Sequence, residues 1–207
     1  NTLSYTYNHD GIRTSKTVNG VVHNYTVSGS LILTEEWGSN LVVYLYDANG
    51  APIGMRYRTS SMAEGVFYTF WFDKNLQGDV VAVYNETGTN SYAQYNAITY
   101  RGYYFDSETS LYYVSNRYYD PKIGRWISPE PNLYTGVFDG GAGLAGYNVY
   151  TYCANNPVNY FDHTGEFIIS TLLICVAAGA IIGGTIGGIS GNVYANSKGY
   201  TGWKKTK

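Results

Sequence analysis

Arg101-Gly-Tyr-Tyr-Phe-Asp106, Leu111-Tyr-Tyr-Val-Ser-Asn-Arg117-Tyr-Tyr-Asp120-Pro-Lys-Ile-Gly124-Arg125-Trp-Ile-Ser-Pro-Glu130-Pro131 and Asn155-Asn-Pro-Val-Asn-Tyr-Phe-Asp162-His-Thr-Gly165 are the runs whose reading decides the fold. They follow one another between Arg101 and Gly165. Each alternates aromatic pairs with Arg and with turns built from Asp or Asn and Gly. Tyr combines strand propensity with an apolar body and a polar tip, so the pattern points to sheets buried on one face and wet on another. The whole chain shares this bias: it has 24 Tyr against 7 Phe and 4 Trp.

Upstream, the same chemistry recurs. Tyr5-Thr-Tyr-Asn-His-Asp10-Gly11, Asn19-Gly20, Tyr44-Leu-Tyr46-Asp47-Ala-Asn49-Gly50, Phe70-Trp-Phe72-Asp73 with Gly78, and Tyr84-Asn-Glu-Thr-Gly88 are variations on one unit: aromatic strand, turn, strand. Asn-Gly and Asp-Gly supply the positive φ angles of a two-residue hairpin, which is the turn expected at each. Alternation in Leu41-Val-Val-Tyr-Leu-Tyr46 offers two apolar faces. Spacings of roughly 20 to 40 residues between copies mark a linear array of repeats. The pattern alone is equally that of an ordinary antiparallel sheet.

These motifs, in this order, resemble the Rhs repeat-associated core of bacterial Rhs and wall-associated polymorphic toxins and of the C subunits of Tc insecticidal toxins. The hairpins before it resemble that family's YD repeats. The resemblance implies a mainly β, antiparallel hairpin sheet that is part of a hollow shell. It divides the chain into YD-repeat hairpins over 1–100, the core over 101–165 and an extension over 166–207. The chain is expected to be a fragment, because Asn1 falls inside a repeat. The implied function is to encapsulate a C-terminal effector, absent here, for use against neighbouring cells. The implied location is secreted or at the bacterial cell surface, with an immunity protein as a further partner.

In the resembled family the core is an internal aspartic protease. Two Asp-Pro-x-Gly motifs bring two carboxyls together and the chain is cut just after the second. Two adjacent carboxyls do not ionise together easily, so one keeps a proton while the other draws a proton from water. The first motif maps onto Ser128-Pro-Glu130-Pro131, with Glu for Asp and Leu133 for Gly. The second maps onto Asp162-His-Thr-Gly165, with His163 for Pro, and Glu166-Phe167 follow it. Asp162 and Glu130 are therefore the candidate catalytic acids, and Arg125 the residue that orients one of them. Plainer readings stand beside these. Asp-x-x-Gly is a turn signature, Glu130 between prolines is a solvated loop acid, and Arg117 and Arg125 pair or stack across the sheet.

After Gly165 the sequence changes character. No charged residue occurs from Phe167 to Ser197, and Gly179, Gly183, Gly187 and Gly191 repeat every four residues. On a helix that spacing makes a smooth face, so one or two short glycine-zipper helices are expected. Three readings compete: a membrane contact by 167–191, a helical hairpin inside the shell, or a linker into a missing effector. Little else carries chemistry. The formal net charge is −2, which argues against nucleic-acid binding. His9, His23 and His163 are dispersed, so no metal is expected, and no phosphate loop implies a cofactor. Cys153 and Cys175 make no disulfide framework. A carbohydrate-binding adhesin, using exposed aromatics, is the alternative function.

Overall fold

Three turns set the first half of the protein, and they are one turn repeated. In a computed structural model that describes residues 2–85, 92–130 and 148–165 and the backbone of 168–170, Asn8, Asp47 and Asn75 each open a five-residue loop. The Oδ1 of Asn8 accepts the amides of Asp10 and Ile12, that of Asp47 those of Asn49 and Ala51, and that of Asn75 those of Gln77 and Asp79. Gly11, Gly50 and Gly78 take the positive φ that closes each loop. Asp10-Gly11 and Asn49-Gly50 are thus inside longer, side-chain-braced turns, not the two-residue hairpins expected of them. The short polar side chain competes for the backbone amides and draws the turn out to five residues. Asn19-Gly20 does form the tight turn, with both residues at positive φ and Val18 facing Val21.

These turns link an eight-stranded antiparallel meander in simple sequence order: β1 (Leu3–Tyr7), β2 (Arg13–Val18), β3 (Val21–Ser28), β4 (Leu31–Trp37), β5 (Asn40–Tyr46), β6 (Pro52–Thr59), β7 (Tyr68–Lys74) and β8 (Val80–Tyr84). One face is covered. Val42, Tyr44, Met55, Tyr57, Phe70 and Phe72 are buried on it, two apart along their strands. The other face carries Leu41, Val43 and Leu45, which are only half-buried, so β5 has one core face rather than two equal ones.

A second, four-stranded sheet lies on that covered face. Its strands are β9 (Tyr104–Asp106), β10 (Leu111–Val114), β11 (Arg117–Asp120) and β12 (Arg125–Trp126), in the order β12-β11-β10-β9. Here the tyrosine pairs explain themselves. Neighbouring residues on a strand point to opposite faces, and both faces of this sheet are covered. Tyr104, Tyr113 and Tyr118 turn toward the large sheet, while Tyr103, Tyr112 and Tyr119 turn toward a second core with Val114, Trp126, Tyr152 and Cys153. A doublet fills both layers at once, and burying each ring removes roughly 150–250 Å² from water. The segment 148–165 closes that second core.

The last elements are β13 (Tyr160–Asp162) and β14 (Ile168–Ser170), an antiparallel pair in which Asp162 faces Ile168. Residues 168–170, expected at the start of a glycine-zipper helix, are therefore a strand: β-branched Ile168 and Ile169 pair with the edge that Tyr160–Asp162 offers. The rest of the expected zipper, 171–191, lies outside the described residues, as does Gly88. Among the described residues, no helix is long and apolar enough to cross a membrane. Cys153 is a buried free thiol, and Cys175 is outside the described residues.

Candidate functional site

The second core contains one buried charged cluster. Arg117 opens β11 with 3% of its surface exposed, beside Glu130 at 7% and Asp162 at 0%. Arg117 Nη2 lies 2.8 Å from Glu130 Oε2 and 3.1 Å from Asp162 Oδ2. Both oxygens are one hydrogen bond from the same nitrogen, so they are at most about 6 Å apart, the sum of the two distances. The guanidinium is held flat from below, its central carbon 4.1 Å from the centroid of the Trp126 ring.

Asp162 is fixed from three directions. Its Oδ1 accepts the amides of Gly165 at 2.8 Å and Thr164 at 3.3 Å, which forms the Asp-x-x-Gly turn. Its Oδ2 takes Arg117. Its main-chain carbonyl accepts the Tyr103 hydroxyl at 2.5 Å, and Tyr103 in turn meets the Tyr152 hydroxyl at 3.1 Å. Gly165 ends the turn at φ +75°, and a Cβ there would sit 2.6 Å from the Val114 carbonyl oxygen. The turn therefore presses against the β10–β11 connection, where Asn116 Nδ2 donates to the Thr164 carbonyl at 3.3 Å. The turn reading of this motif is correct, and the same aspartate also enters an ion pair.

Glu130 is not a solvated loop acid. Its amide bonds the Val149 carbonyl at 3.0 Å and its carboxylate is buried against Arg117. Two of the three expected site residues, Asp162 and Glu130, are thus brought together although they are 32 positions apart in the chain. Arg125 is not with them. It pairs across the strand with Asp120, and its neighbour Trp126 pairs with Tyr119 on the buried face, so alternation places Arg125 on the opposite side. Arg117, two residues before Tyr119, shares the buried side and is the arginine that contacts both acids. The same alternation, applied to Arg117-Tyr-Tyr119 and Arg125-Trp126, was the signal in the sequence that could have found it.

Cys153 lies in this core too, on a turn where Cys153, Ala154 and Asn155 all adopt positive φ. Burial pushes its thiol up to about 12, so at neutral pH it is not a nucleophilic thiolate. Among the described residues, no group of three or more His, Cys, Asp or Glu side chains is placed to hold a metal ion.

A shell-type hairpin sheet with a Tyr-rich core sheet laid on it defines the class of fold, and known proteins share it. The Teneurin YD-shell family model matches residues 87–158. The tRNA3(Ser)-specific nuclease WapA of Bacillus spizizenii is 31% identical over 188 residues, which cover 80% of this chain and 8% of that protein. The toxin protein Tse5 of Pseudomonas aeruginosa is 38% identical over 87 residues, 42% of this chain and 6% of its own length. Among solved structures, a Photorhabdus luminescens Tc holotoxin pore superposes with a TM-score of 0.59 at 25% identity, over 79% of this chain and 9% of that one. The chain belongs to the YD-repeat shell family of Rhs-type proteins. It spans less than a tenth of the length of these relatives.

Proposed function

We propose that this chain is the core-bearing part of a toxin shell, which encloses a C-terminal effector, and that its core cuts the chain just after Gly165. On this reading residues 1–100 are shell wall, 101–165 are the processing core and 166–207 lead into the effector. The parent protein is secreted or displayed at the cell surface and used against neighbouring cells, with an immunity protein for the producer. The apolar sequence beyond β14 meets the shell interior or a membrane.

The observation that carries the cleavage reading is the hairpin of β13 and β14. The strand after the proposed cut returns against the strand that holds Asp162, with Asp162 facing Ile168, so the chain on the two sides of the cut is held together at Asp162. Tethering replaces an encounter by a high effective concentration. In the proposed reaction, a water oxygen adds to the carbonyl carbon of a peptide bond at 165–167. One carboxylate of the pair takes the water proton, and the other carboxyl gives a proton to the departing amide nitrogen. The products are a new carboxyl terminus on the core and a new amino terminus on the effector.

Intact mass of the denatured full-length parent tests this. Two fragments meeting at 165–167, lost in both Asp162→Asn and Glu130→Gln, are expected. A single uncut mass after native refolding at neutral and mildly acidic pH would leave the core as scaffold only.

A further inference from the structure

Tyrosine pairs in the two cores meet edge-on or tilted, as packed rings prefer: Tyr25 and Tyr104 at 80°, Tyr103 and Tyr152 at 78°, Tyr113 and Tyr118 at 48°. One group is arranged differently. Tyr57 of β6 and Tyr68 of β7 are register partners, so their side chains leave neighbouring strands on the same face of the large sheet. Tyr92, on the connection from β8 to β9, stacks on both. Its ring centroid is 4.8 Å from that of Tyr57 and 5.0 Å from that of Tyr68, each pair inclined by 25°. The three rings run from the interior to the surface: Tyr57 is 2% exposed and Tyr68 is 43% exposed.

Near-parallel phenols in contact have a chemistry that isolated ones lack. A phenol that loses one electron and one proton becomes a phenoxyl radical, with its unpaired electron shared between the oxygen and the ring carbons ortho to it. Two such rings held together couple without having to find each other. We propose that Tyr68 and Tyr92 are a site of oxidative coupling, joined ring to ring when a peroxide acts on the protein through a haem peroxidase. Each phenol gives up one electron and one proton, and the two radicals bond at their ortho carbons. The hydrogen on each joined carbon then moves to the phenolic oxygen and restores both aromatic rings. One hydrogen peroxide takes the two electrons and two protons and leaves as two waters.

Exposure and stacking have to coincide, and among the described residues they do so here. Tyr119 and Tyr152 come closer, at 4.1 Å, but they are sealed in the second core at 7% and 1% exposed. Tyr7 is as accessible as Tyr68, but it meets Tyr5 at 6.4 Å and 52°. Tyr57 supports Tyr92 and needs only its ring to do so. The link would also join the two sheets. Beyond Tyr92, the Asn96 side chain braces Ile98 at both its amide and its carbonyl, and Ile98 bridges to Tyr104 of β9. A bond from 68 to 92 therefore ties the large sheet to the chain that carries the small one, and reductants that open disulfides leave it intact. This inference stands apart from the cleavage reading.

The test treats the folded full-length parent with a haem peroxidase and hydrogen peroxide, then digests it and identifies linked peptides by mass. Of the links within this chain, the principal one should join Tyr68 to Tyr92, lighter by two hydrogens than the separate peptides. Tyr68→Phe and Tyr92→Phe keep a ring to stack but lack the phenol, and each should lower that yield on the order of tenfold or more. Tyr57→Phe should leave it unchanged. The same treatment in denaturant should scatter the links over many tyrosines. A principal link between Tyr119 and Tyr152, or one from Tyr7 to another molecule, overturns the proposal. So does the absence of any link at Tyr92 while free tyrosine in the same mixture couples. If a Phe variant does not fold, the linked pair in the unaltered protein decides: Tyr68 with Tyr92 supports the site, and any other principal pair overturns it.

Discussion

The two buried arginines of the small sheet answer one question in opposite ways. Arg13 is fully buried among tyrosines, with its guanidinium carbon 4.2 Å from the Tyr113 ring centroid and 5.0 Å from those of Tyr25 and Tyr104. Burial alone would make its proton easier to lose, but the adjacent Asp106 outweighs that and holds Arg13 above its ordinary value. The cluster bolts two sheets together across 93 residues of sequence. Arg117 is similarly buried and lies over Trp126, but it meets two acids, Glu130 and Asp162, within the second core. The first cluster joins two sheets, which is what stability asks for. On the cleavage reading proposed above, the second is where proton transfer is looked for.

The largest effect that would break this comparison is on stability. Asp106→Ala leaves Arg13 buried beside Lys16 without its main partner and should cost about 3–5 kcal/mol in denaturant unfolding. Asp162→Asn removes one of two acids from Arg117, keeps an oxygen for the Thr164 and Gly165 amides, and should cost about 1–3 kcal/mol. Equal losses would mean that both networks are structural.

A smaller effect separates a turn that matters from one that does not. Gly165 and Gly11 share nearly the same backbone angle, φ +75° and +78°. Gly11→Ala meets nothing within 4 Å, so its cost is the left-handed strain alone, about 1–2 kcal/mol. Gly165→Ala adds a collision with the Val114 carbonyl oxygen at 2.6 Å and should exceed Gly11→Ala by at least about 1 kcal/mol. On the cleavage reading it should also displace the turn that holds Asp162 and slow processing. Similar melting shifts for the two alanines would show that the 162–165 turn yields easily, and would weaken the case that it presents the chain at a fixed place.

Much of this architecture is legible in the sequence, and what is not has physical reasons. Hairpins can be read because a strand's period and its turn residues are local. The two acids can be read because each lies in its own short motif. Arg125 is nearer Glu130 in sequence than Arg117 is, but face, not distance along the chain, decides which arginine reaches a buried acid. The five-residue turns were hidden because Asn8, Asp47 and Asn75 act three positions ahead of the glycine that draws the eye. The Arg13–Asp106 bolt could not be read at all, since nothing local in Ile12-Arg13-Thr14 records a carboxylate on another sheet. The Tyr doublets were visible as an anomaly, but their reason needs the second covered face.

The smallest effect concerns acid. Burial alone would raise the Glu108 carboxyl, but its own backbone amide and Lys16 outweigh that, so Glu108 stands below the ordinary carboxylate value. A carboxylate depressed by folding stabilises the fold at pH above its unfolded value, and that contribution is lost as pH falls through the depressed folded value. Glu108 should therefore help to make the protein less stable in acid, and Glu108→Gln should lessen the slope of stability against pH below about 4.5 while changing little near neutrality. On the cleavage reading, the same substitution should leave the pH profile of processing where it is, because Glu108 bonds Lys16 of the large sheet while Glu130 and Asp162 lie in the other core. A profile that moves with Glu108→Gln would show that the two faces of the small sheet share one titrating network, and the division between bolt and cutting site would have to be given up.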